Sequence, residues 1–337
     1  MRTATVAAAL LLSSGCSATS DAEIPGPVMF EYSSQGTLFV ANKRGASVSR
    51  IDLANGEELQ RVDTCENPHE LSISPDGERL VVACYSGHSA EVYSTADLAP
   101  VEVLDLGEGA RAHVALWLAN DRVLAGAEGR GSIVQLLDVG GRLMGTFEHD
   151  SGEYGPHLLV VDVAANRAWG TLIPSGEVVL WDITPGAIRE LARARIGNAI
   201  EAIALAPDAS SLWVSSNEDN MAYRLDPTTL EVKAEVPTGE VPIRLAMHPS
   251  GDFVVSSNFG SGDLTVIDTA TNEVVRTIPV SGSSDAVQVT LVFSEDGGRL
   301  YAAETATDTI AEIDFASGEV LRRLPTGPGG DGLAVLD

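Results

Sequence analysis

The sequence predicts an all-β fold, a seven-bladed β-propeller of four-stranded antiparallel blades, and three observations predict it. Aspartates 52, 138, 182, 226, 268 and 314 each close a short apolar run (SRID, QLLD, VLWD, YRLD, TVID, AEID) in steps close to 44 residues, with Ser94 in the one skipped place. Each interval contains four strand-sized segments, and Gly, Pro, Asn and Asp mark the breaks between them. The segments alternate in polarity or are rich in Val, Ile and Thr, as strands are. A repeat of about 40–45 residues with four strands per unit is that of a propeller blade.

The unit is clearest over residues 243–282. IRLAMH is an inner strand ending at Pro249-Ser250-Gly251, DFVVSSN a second, DLTVID a third, and EVVRTIPV a fourth. The aspartate closing the third strand can accept backbone N–H bonds from the turn it opens, which makes it structural. The same plan starts at HELSIS, HVALWL, HLLVVD, IEAIAL and VQVTLV. Seven copies of the second-to-fourth strand set face eight candidates for the inner strand, because Val28–Ser33 and Gly332–Leu336 both fit. The C-terminal DGLAVL is expected to serve as the inner strand of the first blade, which leaves no free sheet edge at the seam. The propeller is expected over residues 28–337.

Residues 1–15 read as an export signal, with Arg2 followed by a short apolar core too short to span a bilayer. Ser-Ser-Gly before Cys16 resembles a bacterial lipoprotein signal, although Ser13 stands where that pattern has leucine; an ordinary cleaved signal is the alternative. Lipid on Cys16 would tether the protein to a membrane surface through residues 16–27. The expected location is exported, periplasmic or at the cell surface. The chain has 21 Lys+Arg against 48 Asp+Glu, a net charge of −27. Such a field repels phosphate backbones, so nucleic acid is not an expected partner. Export places Cys65 and Cys84 where disulfides persist. A hairpin turning at Pro75-Asp76-Gly77 brings Cys84 near His69, with Cys65 a few residues further along, so a disulfide is expected; two buried thiols are the alternative.

The segment FVVSSNFGSGDLTVIDTATNEVVRTIPVSG resembles the YVTN repeat, and LFVANKRGASVSRIDLANGEEL and LYAAETATDTIAEIDFASGEVL are close variants. The resemblance implies a seven-bladed propeller, often in exported bacterial proteins, among both binding modules and relatives of propeller lactonases. VPIRLAMHPSG is similar to a lactonase strand at Pro242, Leu245, Ala246, His248 and Pro249, but Ile243 and Arg244 replace the arginine and histidine of that pattern.

No Gly-x-Ser-x-Gly, HExxH, phosphate loop or Cys-x-x-Cys-His motif is present. One constellation stands out. His69, His113, His157 and Glu201 recur every 44 residues, each at the start of an inner strand, and the row continues as Ile243, Val289 and Asp331 at intervals of 42, 46 and 42. Three imidazoles and a carboxylate are then expected along one arc of the channel mouth, with Asp331 beside His69 if the ring closes as above. His69, His113, His157 and Glu201 could hold a divalent Zn, Cu or Fe ion, a polar ligand without metal, or only the neighbouring blade. Arg244 could grip a carboxylate or pair with an acidic neighbour. Loops between second and third strands should rim the same mouth, supplying Asn42, Lys43, Arg44, His88, Glu128, Arg130, Asn217, Glu218, Asn258 and Glu304. His248 and His149 should lie elsewhere, and the tryptophans 117, 169 and 213 should pack between blades.

The expected function is a monomeric module that binds a small molecule or protein at the channel mouth. A metal-dependent enzyme or carrier built on the histidine arc, and a lactonase-like hydrolase, remain as alternatives.

Overall fold

The computed structural model describes residues 34–137, 145–150 and 152–337. Cys16, the expected signal and tether, the alternative closing strand Val28–Ser33 and Asp138 lie outside the described residues.

The described residues form seven four-stranded antiparallel sheets. Blade 1 combines Gly330–Leu336 as inner strand with Thr37–Asn42, Ser47–Asp52 and Glu58–Asp63. Blades 2 to 7 are consecutive, over 68–105, 112–150, 159–195, 200–237, 242–279 and 288–325. The C-terminal strand closes the ring: Leu336 lies opposite Thr37 and Leu333 opposite Val40. Each inner strand also contacts the inner strands of both neighbouring blades, completing a circuit around the axis.

Alternation along the strands gives each blade two apolar faces, because both are covered by neighbours. The buried apolar side chains accordingly fall into seven clusters, one at each junction between adjacent blades. Phe39 and Val48 of blade 1 meet Leu80 and Val82 of blade 2 with no exposed surface. Fully burying each such side chain contributes about 1.5–3 kcal/mol. Trp117, Trp169 and Trp213 belong to these junctions. Trp169 also donates from its indole N–H to the Pro227 carbonyl of the next blade at 2.7 Å.

The repeated aspartates cap turns. Asp268 Oδ1 accepts the backbone N–H groups of Ala270 and Thr271 at 3.0 and 2.8 Å, and Asp226 Oδ1 those of Thr228 and Thr229 at 2.9 and 2.8 Å. These bonds favour the ionised form, so both carboxyls sit below their ordinary range. Cys65 and Cys84 are joined by a disulfide. Cys84 lies opposite Pro68, one place from His69, because the pairing slips at a bulge between Pro68 and Leu71.

Candidate functional site

That bulge is the local device from which the site is built. Pairing between the inner and second strands shifts at Pro68/Leu71, Ala112/Val114, Ile200/Ile203, Pro242/Arg244 and Gln288/Leu291, and at the register of Gly330 in blade 1. Blade 4 differs: its inner strand starts only at Leu159, and His157 donates its backbone N–H to Thr171 at 2.9 Å. A bulge breaks the strict two-residue alternation of a strand and re-aims side chains. Two residues upstream the chain takes a left-handed turn, at Asn67, Arg111, Ala199, Val241, Val287 and Gly329. The histidine row and the residue after it can therefore both enter the centre.

There the three imidazoles stack. The ring centroids of His69 and His113 are 3.7 Å apart and those of His113 and His157 3.6 Å, with tilts of 41° and 36°. Carboxylates end the row. Asp331 Oδ2 lies 3.4 Å from His69 Nδ1, and Glu201 Oε1 lies 3.4 Å from His157 Nε2. The order Asp331, His69, His113, His157, Glu201 follows blades 1 to 5. Ile243 and Val289, at the same position in blades 6 and 7, are apolar and pack in or against the cluster between blades 1 and 7.

Arg244 reaches across the ring from blade 6. Its guanidinium donates to Glu201 Oε1 at 3.1 Å and to Glu70 Oε1 of blade 2 at 2.9 Å. It is only 6% exposed, so this buried arginine is matched to protein carboxylates. Of the rim residues, three reach the row. Lys43 Nζ is 3.1 Å from Asp331, Glu128 Oε2 is 3.3 Å from His157 Nδ1, and the Asn217 amide donates to Glu201. Asn42 and Asn258 are instead buried in their own blades, bonded to Ser49 and Thr265, and Glu304 pairs with Arg323. Arg44 pairs with Asp308 and Arg130 with Glu148. His248 sits away from the row, against Phe253, Phe293 and Phe315.

Electrostatics divide the histidines. Burial pushes the His113 imidazole well below its ordinary value, and the flanking His157 and His69 add to that. Burial also lowers His69, although Asp331 opposes it. Burial works against His157 too, but the contacts with Glu128 and Glu201 outweigh it and raise its pKa. Burial pushes the Glu70 carboxyl up, and Arg244 and His69 overcome that and hold it at about 2. Glu201 is likewise held at about 2 against burial by His157, Arg244 and Asn217. Glu70, Glu128, Glu201 and Asp331 thus face Lys43, Arg244 and a His157 imidazole whose protonated form the carboxylates favour. Carboxylates outnumber the fixed cations of the row.

A family match covers residues 2–337. The chain belongs to the YNCE-like beta-propeller family. Antigen Lp49 of Leptospira interrogans is 35% identical over 106 residues, which is 31% of this chain and 22% of that protein. The chain therefore spans about a fifth of the length of this curated relative. Among solved structures, a chain of Kuenenia stuttgartiensis hydrazine synthase superposes with a TM-score of 0.70 at 18% identity, over 83% of this chain and 93% of its own. Dihydro-heme d1 dehydrogenase NirN gives 0.64 at 16%, over 92% and 77%. A functionally unknown protein from Desulfotomaculum acetoxidans gives 0.74 at 12%, over 89% and 99%. At these identities the structural likeness is one of fold.

Two members of the site escape a reading by sequence alone. Glu70 directly follows His69, and strict alternation would point it away. In the row one place downstream (Glu70, Val114, Leu158, Ala202, Arg244, Thr290, Gly332) it and Arg244 are the only charged residues, and they are opposite in sign. Tyr85, adjacent to the disulfide, stands edge-on to His69 and His113 at 5.5 and 5.6 Å, and Arg111 lies over its ring at 4.7 Å. Nothing in its loop sequence announces that position.

Proposed function

We propose that this YNCE-like propeller is a binding module that takes a small, positively charged ligand at its channel mouth. The observation that carries the reading is a buried polar cluster with unmet bonding capacity. His113 Nδ1 is buried without a hydrogen-bond partner, and the other imidazole contacts in the row are long: His69 Nδ1 lies 3.4 Å from Asp331 and 3.7 Å from Glu70, and His157 Nε2 lies 3.4 Å from Glu201. Buried polar atoms are normally satisfied, and each one left unsatisfied costs about 1–3 kcal/mol. A ligand that meets them recovers that cost. The excess of carboxylates selects for positive charge. Glu70 and Glu201 already occupy Arg244, so it is not free to grip a substrate carboxylate. In our reading the protein is exported and held at a membrane surface by lipid on Cys16; a Cys16→Ser change should then move it from the membrane to the soluble fraction.

The test is a melting-temperature screen of the exported protein against organic amines, amino acids and divalent metals, beside a His113→Leu variant. At a hundredfold excess over Kd a ligand adds about 3 kcal/mol, a shift of several degrees. A compound that stabilises the wild type and not the variant supports the reading. Stabilisers that act equally on both would place binding elsewhere and overturn it, as would a panel with no stabiliser.

A further inference from the structure

We infer that His69, His113 and Glu70 form a site for one divalent transition-metal ion, an inference that rests on the channel mouth being the ligand site. These three residues can place one donor atom each so that all lie within 4.8 Å of one another. This set differs from the four residues that share the 44-residue spacing: His69 and His113 are common to both, but His157 and Glu201 do not fall in the same close group of donor atoms, and Glu70 does. Glu70, brought in by the bulge, takes their place.

Four features favour an ion there. The donors are close to the separation that coordination needs, since atoms about 2 Å from one ion are at most about 4 Å apart. His113 Nδ1 is buried and unpartnered in a side chain 2% exposed, and His69 Nδ1, in a side chain 5% exposed, makes only long contacts, 3.4 Å to Asp331 and 3.7 Å to Glu70. Arg244 takes one lone pair of Glu70 Oε1, and a carboxylate has about four, so acceptor capacity remains for an ion. Tyr85 covers the edge of both rings.

The donor type sets the class of ion. Two imidazoles and one carboxylate suit Zn, Cu, Ni or Fe(II), whereas Mg and Ca prefer oxygen alone. Three protein donors leave a coordination position open, the pattern of sites that take a further ligand. The other three-residue cluster of metal-binding types among the described residues, Cys65, Cys84 and Glu91, has both sulfurs in the disulfide and offers no thiolate.

The experiment titrates the untagged exported protein, stripped with chelator, with Zn(II) by calorimetry and with Cu(II) by electron paramagnetic resonance. We expect one equivalent of each, hyperfine coupling from two imidazole nitrogens, and affinity weakened roughly 100-fold or more in a His69→Ala/His113→Ala variant. The Cu(II) spectrum needs no variant, so it decides the matter even if the double change unfolds the chain. No saturable binding, a spectrum without two imidazole nitrogens, or unchanged affinity in a folded variant would overturn the site. An organic cation that stabilises wild type and not His113→Leu, with no metal bound, would sink the metal inference and leave the binding-module reading standing. If neither metal nor organic cation acts through the row, both fail.

Discussion

Arg244→Met removes the one guanidinium that spans the ring and leaves two buried carboxylates facing each other without it. In the folded protein Glu70 and Glu201 are each held at about 2, against an ordinary 4.5. A shift of that size corresponds to roughly 3 kcal/mol per group. His69, His157 and Asn217 supply part of it, so Arg244 does not account for the whole. Breaking a buried pair by removing one partner typically costs about 3–5 kcal/mol, and we expect that loss at pH 7. In a propeller of this size it corresponds to a fall in melting temperature of roughly 5–8 °C. The pH dependence is the sharper part. Because the folded values are depressed, this stabilisation is complete above about 4.5 and disappears as the pH falls towards 2. Urea denaturation of wild type and variant at pH 7, 5, 4 and 3 should show a gap that is widest at pH 7 and closes in acid. Adding Glu70→Gln and Glu201→Gln to the variant should recover much of the loss, since no uncompensated charge remains. A variant within about 1 kcal/mol of wild type at pH 7, or a gap that is the same at pH 3, would refute the assignment of these carboxylates to Arg244.

Three further outcomes follow from the same structure. Deleting residues 331–337 strips the inner strand from blade 1 and bares the edge of Thr37–Asn42; circular dichroism should show melting lowered by more than about 10 °C. Replacing Cys65 and Cys84 by serine opens a loop of sequence separation 19 and should cost about 3 kcal/mol in urea, a loss that reductant reproduces in wild type and leaves unchanged in the variant. Burial lowers the folded pKa of His69 and His113, so the stability they contribute is full above their ordinary 6.5 and declines as the pH falls below it. Wild type should therefore lose more stability than His113→Gln between pH 6.5 and 5, and parallel curves would count against neutral, stacked imidazoles.

Much of this was legible because the repeat supplies its own register. Residues 44 apart occupy the same place in successive blades, so His69, His113 and His157 could be aligned before any strand was drawn. Closing the ring with the C-terminal strand then put Asp331 beside His69. What escaped depends on departures from the regular strand. Glu70 is visible only if the bulge is known, because alternation assigns it to the opposite face. The same slip moves Cys84 from His69 to Pro68. Asn42, Asn258 and Glu304 end second strands and look like rim residues. Their side chains turn inward to bind hydroxyls or an arginine of their own blade, a choice of rotamer that spacing does not encode.

The break in symmetry is what points from fold to recognition. A propeller needs each junction filled, and seven apolar clusters fill them. Nothing in that packing calls for ionisable groups at the axis, and a buried ion pair is a weak source of stability once its desolvation is counted. Were the polar row a requirement of the fold, blades 6 and 7 would share it, but they carry Ile243 and Val289. The polar residues occupy blades 1 to 5 as one unbroken arc, and Arg244 ties its far end to Glu70 across the ring. A one-sided arc of imidazoles and carboxylates, with donor atoms left unmet, does little for the seven junctions. It gives the mouth a direction, and a direction is what a site needs to orient a ligand.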